Sequence, residues 1–92
     1  MKGERRSRLR IIADVLRVVE EEGGAGITKV MQGANLPYDR ALEYLSELIE
    51  KGLLREERRE RGSVYYLTER GLEFLREFKK IERLAEAFGI RI

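Results

Sequence analysis

Fourteen of the nineteen cationic side chains in this 92-residue chain are arginines, and the chemistry they suit is the capture of phosphate oxygens. A guanidinium is planar and carries a fork of N–H donors that matches a phosphate bidentately, which an ammonium does not. These residues fall mainly in two clusters. In the N-terminal arm Lys2, Arg5, Arg6, Arg8 and Arg10 stand against Glu4, so residues 1–10 carry +4 and the remaining 82 carry −2. In the run REERRERGS, Arg55, Arg58, Arg59 and Arg61 alternate with Glu56, Glu57 and Glu60. The net charge of +2 does not itself point to a polyanion, and an arginine-rich surface with one asparagine, one glutamine and no cysteine is also what heat-adapted, thermophilic proteins show.

Other chemistries are poorly supplied. Cysteine and histidine are both absent, which excludes disulfides, thiol nucleophiles, zinc fingers and the commonest general base. Three serines and two threonines have no base beside them except carboxylates on solvated helix faces. Gly23, Gly24 and Gly26 follow a helical pattern, not a strand, and form no phosphate loop. The expectation is a protein that is not an enzyme and has no catalytic residues, metal site or cofactor; no small-molecule ligand is indicated. With no apolar run near 18 residues and a charged start, MKGERRSRLR, the chain reads as soluble and cytoplasmic, with no membrane partner.

The elements that must position the arginines follow from periodicity and caps. Leu9, Ile12, Val15, Leu16 and Val19 recur at helical spacing, with Ser7 as N-cap, which predicts a helix over residues 7–22 stopped by Gly23-Gly24. Residues 25–27 are expected to add a short edge strand, and Thr28 to cap a second helix through Ala34. After a break at Asn35-Leu36, Pro37 fits the first turn of a third helix running to about Lys51, with Ala41, Leu42, Leu45, Leu48 and Ile49 inward and Gly52 as its left-handed end. Leu53-Leu54 and Val64 to Leu67 read as two strands around the arginine-rich turn. This order is the signature of a winged helix-turn-helix, mainly α with a small β-hairpin, occupying residues 1–68 with the basic arm.

In such a module the start of the third helix reaches base edges, which singles out Tyr38, Asp39, Arg40 and Tyr44, with Glu43 and Glu47 on the same exposed side as acidic obstacles. Arg55, Arg58, Arg59 and Arg61 of the wing and Lys2, Arg5, Arg6 and Arg8 of the arm are the candidate phosphate contacts. For each tyrosine the alternative is packing on the domain or a partner, and for the wing it is a solvated tip whose charges pair with one another.

From Thr68, an N-cap, a fourth helix is expected to run to about Ala87. Phe74, Phe78, Ile81, Ala85 and Phe88 follow a 4-3-4-3 spacing with Leu84 beside them, a stripe that a domain this small has little core left to bury. A second copy of the helix is the simplest cover, so residues 69–92 read as a dimerisation helix; folding back onto the first helix is the alternative.

The segments MQGANLPYDRALEYLSELIEKGLL and YYLTERGLEFL resemble those of small archaeal winged-helix proteins, including the 10a family of chromatin proteins. The resemblance runs from about Ser7 to Phe88 and rests on an Ala-Asn-Leu turn, a Gly-Leu helix end and a Tyr-x-Leu-Thr-x-x-Gly junction in that order. Pro37 departs from it, standing where a serine or threonine cap is expected. The resemblance implies an antiparallel coiled-coil dimer of the C-terminal helices and double-stranded DNA binding through the third helix and the wing, as a regulator or a nucleoid-associated protein. Two other classes compete on the residues alone: a protein-protein adaptor, favoured by the near-neutral charge beyond residue 10, and an RNA-binding module.

Overall fold

The computed structural model describes residues 6–92 and folds them into four helices and one hairpin. α1 spans Arg8–Glu22, α2 Ile27–Ala34, α3 Tyr38–Glu50, β1 Leu54–Arg59, β2 Gly62–Leu67 and α4 Glu69–Ala87. Among the described residues no helix is long and apolar enough to cross a membrane.

Local signals account for most element ends. The Ser7 hydroxyl accepts the Arg10 N–H at 3.0 Å, satisfying one of the donors a helix start leaves orphaned. Gly52 takes φ +78°, and the Leu53 N–H returns to the Leu48 carbonyl at 2.9 Å, so α3 closes with a left-handed glycine that a side chain would strain. Thr68 caps α4, accepting the Gly71 N–H at 3.0 Å, and donates its own hydroxyl to the Gly52 carbonyl at 2.7 Å. One threonine thus ties the end of α3 to the start of α4.

Three expected details differ. Thr28 lies inside α2, whose N-cap is Gly26 without a side-chain cap bond, because the helix starts one residue before it, at Ile27. Pro37 is the N-cap of α3 and not a first-turn residue, and it too contributes no side-chain bond. The edge strand expected over residues 25–27 shrinks to a single bridge, in which Ala25 and Tyr65 exchange N–H···O bonds of 3.0 and 2.8 Å.

The core lies where α1, α2, α3, the hairpin base and the first half of α4 meet. Ile11, Leu16, Val30, Leu45, Leu48, Leu54, Leu75 and Phe78 are its large, fully buried side chains, each worth about 1.5–3 kcal/mol relative to exposure. Gly71 marks a close approach: a Cβ there would be driven into the Leu53 carbonyl oxygen. Alanine ordinarily favours a helix by about 1 kcal/mol over glycine. Here the obstacle is backbone that cannot swing aside, so Gly71→Ala is expected to lower the melting temperature. A melt at or above that of the parent contradicts the close approach.

Phe78 corrects the expected dimer stripe. It is 2 % exposed, packed within its own chain with the Arg10 guanidinium 5.1 Å from its ring centroid. The α1–α4 junction is laced further by Arg10–Glu82 at 2.8 Å and Arg17–Glu82 at 3.8 Å. α1 therefore covers Phe78, while Phe74 and Ala85 of the same stripe are half-buried. Beyond it Ile81, Leu84 and Phe88 remain exposed, at 47, 61 and 74 %.

Candidate nucleic-acid interface

α2, the Asn35 turn and α3 form the helix-turn-helix pair. Asn35 adopts φ +55°, and the Leu36 N–H bonds back to the Met31 carbonyl at 3.0 Å, so α3 leaves the turn with Tyr38 and Asp39 exposed and Arg40 half-buried. Tyr38 is 52 % exposed, as a base-reading position requires.

Tyr44 is not on that exposed face. It is 4 % exposed, because the buried stripe of α3 is Ala41, Tyr44, Leu45 and Leu48, while Leu42 and Ile49 are only half-buried. Apolar positions 41, 42, 44, 45, 48 and 49 span nearly half the helix circumference, and periodicity cannot say which edge of so wide a sector is covered. Two arginines lie over its ring: Arg8 and Arg40 each hold a guanidinium 5.6 Å from the Tyr44 ring centroid.

Arg8 also bonds the Glu47 carboxylate, which pushes the Arg8 pKa further above its ordinary value, chiefly through that hydrogen bond. With Lys51 3.8 Å away as well, Glu47 is neutralised and presents less of an obstacle to a polyanion. Arg6 also turns onto the body, to Asp14 at 2.8 Å and to the Asn35 carbonyl at 3.1 Å. Lys2 and Arg5 lie outside the described residues.

The wing is longer than expected. Pairing runs from Leu54↔Leu67 to Arg59↔Gly62, leaving Glu60 and Arg61 as a two-residue turn, so Arg55, Arg58 and Arg59 belong to a strand and not to a tip. Alternation then sorts the arginines onto two faces. Arg55 and Arg59 share a face with Tyr66: Arg55 stacks 4.4 Å from its ring centroid, Arg59 donates to its hydroxyl at 2.8 Å, and both lie near Glu57. That face turns toward the end of α1, where a Cβ on Gly24 would strike the Tyr66 ring. Arg58 shares the opposite face with Glu56 and buried Tyr65. Arg58 and Arg61 have no carboxylate partner among the described residues. This Arg–Tyr organisation escaped the sequence reading; Gly62 closing a two-residue turn was the signal that would have set Arg55 opposite Tyr66.

Burial pushes the Tyr65 pKa above its ordinary value, with Glu56 and Tyr38 adding to the rise and the Ser63 hydrogen bond and Arg58 opposing it. Since the folded state holds the neutral phenol, this contribution to stability is intact below the unfolded tyrosine value of about 10 and is lost as pH rises through the folded one. In a phenolate absorbance titration, Tyr65→Phe should remove a transition above that ordinary value. Removal of amplitude at or below it contradicts the burial.

Among the described residues no cluster of acidic side chains is placed to hold a metal ion. What the arrangement offers is an exposed helix start, the wing face that carries Arg58 and a turn whose Arg61 is open to solvent.

The sequence profile of the winged helix-turn-helix family matches residues 5–86, and the chain belongs to that family. Among solved structures it is similar to Sso10a-2, a DNA-binding protein from Sulfolobus solfataricus, at 29 % identity over 90 % of this chain and 85 % of that one, with a TM-score of 0.82. The similarity agrees with the 10a resemblance read from the sequence. The PcaV transcriptional regulator from Streptomyces coelicolor is 28 % identical over 85 % of this chain, which spans 60 % of PcaV, with a TM-score of 0.77. The transcriptional repressor CouR, solved bound to a 23-mer DNA duplex, shares the fold at 23 % identity over 84 % of this chain and 61 % of that one, with a TM-score of 0.71. No curated protein matches the sequence.

Proposed function

We propose that this chain is a homodimeric double-stranded DNA-binding protein of the cytoplasm, a transcriptional regulator or nucleoid-associated protein, and not an enzyme. The observation that carries this reading is the combination of an α3 start that presents exposed Tyr38 and half-buried Arg40 with a wing whose Arg58 and Arg61 have no carboxylate partner among the described residues. Kinship with Sso10a-2 and PcaV, described as a DNA-binding protein and a transcriptional regulator, supports it.

Residues 1–68 serve as the DNA-binding unit and 69–92 as the dimerisation helix, joined through Leu75 and Phe78 in the shared core. Ile81, Leu84 and Phe88 then pair with the same residues of a second copy as an antiparallel coiled coil. Glu43 and Glu50, exposed on α3, favour the second reading, a protein-protein adaptor.

Competition at fixed salt among duplex DNA, single-stranded DNA and duplex RNA separates the classes. Preference for duplex DNA supports the proposal. Preference for either of the others, or binding to none, overturns it.

A further inference from the structure

Tyr44 is too enclosed to read a base, yet it is not an ordinary core residue. Two guanidiniums from different elements share its ring, Arg40 one turn earlier on α3 and Arg8 from the start of α1. Both centroid distances, 5.6 Å, lie inside the range of about 6 Å over which a cation is attracted to an aromatic face. Arg8 is held a second time by Glu47, one turn after Tyr44.

We propose that Tyr44 is a positioning residue for duplex recognition: its ring fixes Arg40, and with Glu47 it fixes Arg8, so that Arg40 of α3 and Arg8 of α1 are both presented already ordered. The inference rests on the duplex-DNA reading and adds a device to it. A free arginine has several rotatable bonds, and immobilising it on binding opposes association; a guanidinium ordered in the free protein has lost that freedom beforehand. Glu47 then acts as the anchor that ties the start of α1 to the recognition helix.

The test combines a structural and a binding readout. In the free parent, the side-chain δ-protons of Arg8 and Arg40 should show upfield ring-current shifts by NMR, retained in Tyr44→Phe and absent in Tyr44→Leu. Anisotropy titrations with one labelled duplex should show Tyr44→Phe binding like the parent and Tyr44→Leu weakened about two- to fivefold. The effect of Arg40→Ala should shrink by a similar factor in the Tyr44→Leu background.

Additive effects of Arg40→Ala and Tyr44→Leu overturn the proposal. So does a parent spectrum without the shifts, which decides the matter even if leucine disrupts the fold. If the parent binds no duplex, the positioning role falls with the duplex reading, and shifts that persist in that spectrum assign the failure to the reading and not to the geometry.

Discussion

Ile81→Asp with Leu84→Asp is expected to convert a dimer into folded monomers, whereas Phe78→Ala is expected to remove about 3–5 kcal/mol of fold stability. The contrast follows from where the stripe of α4 ends as core and begins as surface. Phe78 fills space against α1, so truncating it leaves a cavity and strips Arg10 of its ring. Ile81 and Leu84 are 47 and 61 % exposed, so aspartate there costs the isolated chain little. In a coiled coil the same aspartates would place charge in a desolvated seam, which is strongly unfavourable. Light scattering and denaturant unfolding of the three proteins check both halves. A parent that is monomeric at micromolar concentration, or a double variant that stays dimeric, contradicts the proposed seam.

The second large effect concerns the wing. Arg58→Ala with Arg61→Ala should weaken binding to every duplex by a similar factor and reduce the salt slope by up to about 0.9 for each phosphate no longer neutralised. Arg55→Ala with Arg59→Ala should change the slope less, because those side chains lie on the face held by Tyr66 and Glu57. Arg40→Ala should instead alter preference among sequences, by about 1–3 kcal/mol at one base pair if it meets a guanine edge. Equal slopes for both wing pairs would show that the two faces of the hairpin are not distinguished by DNA.

Much of the architecture was legible because its signals are local. Ser7, Gly52 and Thr68 announce helix ends through bonds made within a few residues, and the structure shows each in that role. The wing was only half legible. The stretch REERR has no apolar alternation to mark it as a strand, and its pairing is set by backbone bonds and by the register that puts Arg55 opposite Tyr66.

The candidate site was read less well than the fold, for tertiary reasons. Nothing near Arg8 in sequence foretells Glu47, and nothing near Phe78 foretells Arg10; those partners come from other helices. A helix face as wide as that of α3 cannot be phased from periodicity, so the pattern alone points Tyr44 to solvent and Leu42 to the core, whereas Tyr44 is buried and Leu42 only half-buried. Tyr38 and Arg61 are where the sequence reading expects them, since an N-terminal helix position and a turn are exposed by geometry alone.

The central claim is that duplex DNA is bound through phosphate-directed arginines, and the most direct measurement is an anisotropy titration of the unmodified protein with several unrelated duplexes over a range of salt concentrations. The account predicts binding to all of them with similar affinity, and a logarithmic affinity that falls linearly with the logarithm of salt at about −0.9 for each phosphate neutralised. No binding at low salt, a flat salt dependence, or strong selection of one duplex over the rest would contradict it.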